Sequence, residues 1–147
     1  MLSAAHCLTD FKPKKVIVAY GSGDRTKMKH FVEVDEWFPH PQYSGWPKYL
    51  NDIALVKLKE PVHLDGSIKP ACLHSSYSTR LRNEFDAVGW GHRLGNEDEF
   101  PVQLQKSKFD YINTGECKSR WDKETDHPDI TNKNLCVYNP STDICGE

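Results

Sequence analysis

The apolar residues of this chain come in short runs cut by turn residues, and that pattern bounds what it can fold into. Lys15 to Tyr20 is a compact run of strand-forming residues that stops at Gly21-Ser22-Gly23. Phe31 to Trp37 alternates apolar and polar, the period of a half-buried strand. Ile53 to Leu58 is apolar enough for a core strand, and Phe85 to Trp90 is another, stopped at Gly91. Val102 to Asp110 alternates more weakly, and Leu135 to Tyr138 makes a last short strand before Asn139-Pro140. Helix signals are confined to one turn over Ala4 to Leu8 and to Thr114 to Asp122. In the second, Thr114 serves as N-cap and Cys117 and Trp121 lie one turn apart. Many short strands with frequent turns predict an all-β fold, a sandwich or a barrel, and strand periodicity does not choose between them.

A length of 147 residues suits one domain of ordinary size. Apolar residues make up 37%, but four Trp, six Tyr and six Phe are enough to anchor a core. The net charge of −2 is spread over interspersed acids and bases, which predicts no nucleic-acid partner and no membrane patch. No apolar stretch is long enough to span a bilayer. Met1 leads straight into a motif, so no signal peptide is expected. The Gly66 to Tyr77 stretch lacks a strong pattern and reads as a connection between two halves.

Several features argue against a cofactor or a metal. His30, His40, His63, His74, His92 and His127 are scattered without ligand spacing and read as structural or exposed. Gly21-Ser22-Gly23-Asp24 lacks the Lys-Ser/Thr ending of a phosphate loop. The acidic run Asn96-Glu97-Asp98-Glu99 reads as a solvated loop. The five cysteines, Cys7, Cys72, Cys117, Cys136 and Cys145, form no C-x-x-C pair, which argues against a zinc ribbon or a thioredoxin-like site. Their spacing suits an extracellular disulfide protein, the alternative being buried thiols in a reducing compartment.

Two residues stand in a context suited to chemistry. His6 sits between Ala4-Ala5 and Cys7, small neighbours that permit tight packing. Asp52 directly precedes an apolar strand, a position from which its side chain can point into the strand's start and be partly buried; a buried carboxylate needs a partner, and histidine is a natural one. On residue types alone, such a pair is either a structural ion pair or a functional one.

The surrounding motifs carry a resemblance. Leu2-Ser3-Ala4-Ala5-His6-Cys7 resembles the histidine motif of the chymotrypsin/trypsin family of serine endopeptidases, and Asn51-Asp52-Ile53-Ala54-Leu55 resembles its aspartate motif. His40-Pro41-Gln42-Tyr43, Ile68-Lys69-Pro70-Ala71-Cys72-Leu73, Gly89-Trp90-Gly91 and Asp143-Ile144-Cys145-Gly146 are similar to further landmarks, in the family's order and over the full chain. The resemblance implies two antiparallel β-barrels with the active site between them. Most of the first would lie in residues 1–75 and part of the second in residues 76–147. It implies His6 as general base and Asp52 as the carboxylate that orients it, a division of labour taken from the family's own triad. It implies Asp143 as the acid that draws a substrate Arg or Lys side chain into a specificity pocket, where the residue alone could equally be a turn acid. It also implies a Cys117–Cys136 disulfide and a Cys72 that tethers an N-terminal prosegment, as in the clip-domain proteases of arthropods. The expected protein is a secreted, extracellular zymogen acting on polypeptide substrates and open to protein protease inhibitors.

The chain also departs from that pattern. The nucleophilic serine, the activation site and the last strands of the second barrel are not in the sequence, which therefore reads as incomplete at both ends. On that reading, the chain made alone is poorly folded and proteolytically inactive. Ile144 is bulkier than the small residue usual beside the pocket acid, and Glu147 falls where a glycine amide helps form the oxyanion hole. These departures keep two rival expectations open: a non-catalytic serine-protease homologue that binds a partner, and a truncated product, which Met1 inside the histidine motif favours.

Overall fold

A computed structural model of the chain describes residues 1–73, 84–91, 100–121 and 129–142. Its elements run β1 (Leu2–Ser3), α1 (His6–Thr9), β2 (Ile17–Tyr20), β3 (His30–Pro39), β4 (Ala54–Leu58), β5 (Glu84–Gly89), β6 (Gln105–Ile112), α2 (Thr114–Trp121) and β7 (Cys136–Tyr138). The strands form two antiparallel sheets, ordered β1-β4-β3-β2 and β5-β6-β7. The chain divides into two compact units, one of residues 1–21, 29–69 and 121–130, the other of residues 22–28, 70–120 and 131–147.

The first unit is built on the four-stranded sheet. Val34 of β3 and Ala54 and Val56 of β4 point to one face, where they bury Ala5 and Leu8 from the α1 region. Val18, Trp37, Tyr43 and Leu58 pack around this cluster. The alternation read over Phe31 to Trp37 breaks at a β-bulge between Val34 and Glu36, which leaves Asp35 and Glu36 both exposed and returns Trp37 to the core side. The extra residue restores the inward register that strict alternation would have lost. On the solvent side Glu33 is gripped by Lys15 and Lys59, and these hydrogen bonds and charges hold its carboxyl at about 2, well below the usual carboxylate range.

At the turn end of β2, Tyr20 stacks on His30 at 4.9 Å, and His30 lies 5.8 Å from His63. The His63 amide donates to the Tyr20 hydroxyl at 3.0 Å. Gly21 adopts φ +93°, and a Cβ there would sit 3.0 Å from His30 Cδ2, so only glycine fits this corner.

In the second unit β5 and β6 pair from Glu84↔Asp110 to Gly89↔Gln105. Phe85 faces Phe109 on one side, while the Asp86–Lys106 and Glu84–Lys108 pairs cross the other at 2.9 and 2.6 Å. A disulfide joins Cys117 of α2 to Cys136 of β7, and Arg120 lies 4.1 Å over the Tyr138 ring. Two sequence expectations change here. The N-cap of α2 is Asn113, not Thr114: Asn113 Oδ1 accepts the Glu116 amide at 3.0 Å and its carbonyl accepts the Cys117 amide. The Asn side chain reaches the amide three residues on, which places the boundary one residue earlier. Strand β6 begins at Gln105, not Val102, because Val102 and Leu104 bond to Arg25 and Gly23 instead of continuing the β5 ladder. Trp90 Nε1 also donates to the Gly23 carbonyl, so residues 22–28 are bound into this unit.

Candidate active site

The site is built where α1 meets the loop between β3 and β4. Ala5 is fully buried and small, which lets α1 seat directly on Ala54 and Val56 and fixes the backbone of His6 beside it. The opposite group arrives from a loop held by its own hydrogen bonds. Ser44 and Leu50 bond reciprocally, the Leu50 carbonyl accepting the Ser44 amide and the Ser44 hydroxyl accepting the Leu50 amide. Asn51 takes φ +54°, and its side-chain amide donates to the Gln42 carbonyl at 3.0 Å. Asparagine enters the left-handed region more readily than other residues with a Cβ. That turn aims the next side chain, Asp52, back at α1 before the chain enters β4.

Asp52 meets His6 at two points. Its Oδ1 accepts the backbone amide of His6 at 2.9 Å, and its Oδ2 lies 2.6 Å from His6 Nδ1. The amide bond fixes the plane of the carboxylate, and the ring bond then fixes the imidazole. A carboxylate only accepts, so the short contact places the proton on Nδ1 and leaves a lone pair on Nε2. With side-chain exposures of 39% for His6 and 24% for Asp52, the ring keeps access to solvent while the acid is mostly covered. An imidazole held this way can take a proton at Nε2 from a hydroxyl or thiol, and the adjacent carboxylate stabilises the cation that results. Cys7 Sγ lies 3.3 Å from that same nitrogen.

The surroundings of the pair include residues that the motifs did not single out. Tyr49, at φ +46°, stands edge-on to the His6 ring at 5.9 Å, and the exposed Trp46 stands edge-on to Tyr49 at 6.1 Å. Positive φ is costly for a bulky aromatic residue and tends to mark functional loops. At the end of α1 the Asp10 carboxylate accepts the Tyr43 hydroxyl at 3.1 Å, and Thr9 Oγ1 lies 2.9 Å from its other oxygen. Tyr43 lies in the His40-Pro41-Gln42-Tyr43 landmark, but nothing in the sequence shows which acid it would meet.

Of the residues expected to act, the structure thus brings His6 and Asp52 together. Asp143, with Ile144, Cys145, Gly146 and Glu147, lies outside the described residues, as do His74, His92, His127 and the Asn96–Glu99 run. Cys72 is exposed and has no disulfide partner among the described residues. No group of three or more metal-ligating side chains occurs among the described residues. No described helix is long and apolar enough to cross a membrane.

Comparison with known proteins identifies the family. The chain is 34% identical over 110 residues to Melanization protease 1 of Drosophila melanogaster, covering 71% of this chain and 26% of that protein. It is 28% identical over 144 residues to Fibrinolytic enzyme, isozyme C, of Lumbricus rubellus, covering 95% of this chain and 59% of that one. The chain therefore spans between about a quarter and three fifths of the length of these relatives. Among solved structures, an inactivated protease paralogue of the scabies mite superposes with a TM-score of 0.84 at 21% identity, over 96% of this chain and 60% of that one. That match supports the all-β trypsin-like fold. With the Trypsin family model matching residues 1–146, the chain belongs to the trypsin family of serine proteases.

Proposed function

We propose that the protein to which this chain belongs is a serine endopeptidase in which His6 is the general base and Asp52 its orienting carboxylate. The observation that carries this reading is the two-point grip of Asp52 on His6, 2.9 Å to the backbone amide and 2.6 Å to Nδ1. It leaves Nε2 as the proton acceptor. In the reaction, Nε2 takes the proton of a serine hydroxyl as the oxygen attacks a peptide carbonyl. The same nitrogen then returns that proton to the leaving amine. Asp52 stays ionised and stabilises the imidazolium between the two transfers. The serine is supplied by sequence beyond residue 147.

Asp143 is the specificity acid, and its carboxylate favours cleavage after Arg or Lys through a charge-assisted bond. The protein is secreted as a zymogen, acts on polypeptides, is open to protein protease inhibitors, and carries its prosegment on the exposed Cys72. A second reading, a non-catalytic homologue that binds a partner, is favoured by Glu147 in place of the glycine that the family resemblance implies there.

The test is hydrolysis of peptide amides by the full-length, activated protein, with Arg, Lys, Leu and Asp compared at the cleaved position. Cleavage after Arg and Lys, abolished in Asp143→Ala, supports the endopeptidase and its pocket. Cleavage with another preference removes the role given to Asp143. No hydrolysis by correctly processed protein supports the homologue.

A further inference from the structure

The end of α1 and the loop carrying Asp52 are joined by a second polar bridge next to the His6–Asp52 pair. Thr9 Oγ1 donates to the Ala5 carbonyl at 2.9 Å and lies 2.9 Å from Asp10 Oδ1. The Asp10 amide bonds back to the His6 carbonyl at 3.0 Å, so the backbone of Asp10 belongs to the same helical turn that carries His6. Tyr43, on the loop that ends in Asp52, donates its hydroxyl to Asp10 Oδ2 at 3.1 Å. Its ring packs against the core cluster of Ala5, Leu8, Val34, Ala54 and Val56. The loop behind Tyr43 is rigid in its own right, since the Tyr43 amide bonds to His40 and the Asn51 side chain bonds to Gln42.

We infer that Tyr43 and Asp10 form a positioning clamp that holds the His6 helix and the Asp52 loop in the register their short contact requires. The inference rests on the reading of His6 and Asp52 as general base and orienting acid. Asp52 holds this helical turn at His6, its first residue, and leaves the far end at Asp10 free to shift against the loop. A second hydrogen bond, anchored by a ring in the core, removes that freedom. The direction of the bond is secure: burial first, and the neighbouring Asp10 carboxylate next, push the Tyr43 phenol up to about 12. It therefore remains a donor across the working pH range. Neither residue touches the reacting atoms, so both act through His6.

The clamp can be separated from a purely stabilising contact. Tyr43→Phe removes only the hydroxyl. It leaves the ring in the core and the exposed Asp10 carboxylate free to bond water, so the fold is retained. The experiment uses the full-length protein with 15N-labelled histidine and reads the His6 tautomer from two-bond proton–nitrogen correlations, alongside kcat and KM. Wild type is expected to hold His6 in the Nδ1–H form. Tyr43→Phe is expected to mix the two tautomers and lower kcat about 10-fold with KM unchanged, the scale of a sub-ångström misplacement. Asp10→Asn, which keeps an acceptor for the phenol, is expected to stay close to wild type, and Asp10→Leu to match Tyr43→Phe.

An unchanged tautomer and kcat in a folded Tyr43→Phe variant overturns the clamp, whatever happens to its melting temperature. If the wild type hydrolyses no peptide but the tautomer still responds to Tyr43→Phe and is restored in Asp10→Asn, the clamp stands and the endopeptidase reading falls.

Discussion

The chemistry open to His6 is decided by which atoms of Asp52 hold which of its own. Asp52→Asn keeps the shape but replaces one acceptor oxygen with a donor, so the side chain can no longer accept from both the His6 amide and Nδ1–H. The imidazole then favours the other tautomer, with its proton on the nitrogen that should accept. On the endopeptidase reading, the expected fall in kcat of the full-length protein is on the order of 10⁴-fold, a magnitude taken from the chymotrypsin-type triad rather than from this geometry. Asn51 shows what the sequence left hidden. It was legible as part of a motif, but the reason for an asparagine there is a φ of +54°, which no local pattern announces. Asn51→Ala loses both the tolerance of that conformation and the bond to Gln42. A drop in stability of about 1 kcal/mol in chemical denaturation is expected, together with a weaker His6–Asp52 contact. The pair itself was legible through the resemblance of its two flanking motifs, residue types alone leaving it open between a structural and a functional ion pair. Tyr49 and Tyr43 were not, since loop closure alone brings them to His6 and Asp10.

At the scale of elements, the strands were legible wherever alternation is sustained. Phe85 to Trp90 reads almost directly as β5, and Lys15 to Tyr20 contains β2. The errors fall where a non-local partner decides. Residues 102–104 look like the start of β6 but bond to Gly23 and Arg25, and the bulge beside Asp35 is invisible until β4 is paired. The seat of α1 is a packing event, and Leu8 is its largest buried contributor. Leu8→Ala should cost about 2–5 kcal/mol and lower the unfolding midpoint accordingly, because the small residues around it close a cavity poorly. On the outer face Glu33 ties β3 to Lys15 and to Lys59 of the segment after β4. Its folded carboxyl sits at about 2 against an ordinary 4.5, so its stabilising contribution is complete above the ordinary value and disappears as pH falls toward 2. These groups are solvent-exposed, so the effect is modest and salt-sensitive. Melting curves between pH 5 and pH 2.5 should show a decline that Glu33→Gln flattens and that added salt reduces.

At the scale of the whole molecule, the two units are stabilised by different means. The first relies on the cluster under α1, while the second places α2 and β7 together through the Cys117–Cys136 disulfide. Replacing both cysteines with serine removes a link between residues 19 apart in sequence and should cost about 3 kcal/mol, seen as a lower denaturation midpoint under oxidising conditions. The all-β class was legible from strand length and turn frequency. The two-barrel architecture came from the resemblance and not from periodicity, which cannot tell a barrel from a sandwich. Whether the His6–Asp52 pair serves a serine can be read by treating the full-length protein with a serine-directed fluorophosphonate probe. Covalent labelling of one serine in sequence beyond residue 147 is expected, abolished in His6→Ala while the fold is retained. Absence of labelling in correctly processed wild type, or labelling that persists unchanged in His6→Ala, would contradict that expectation.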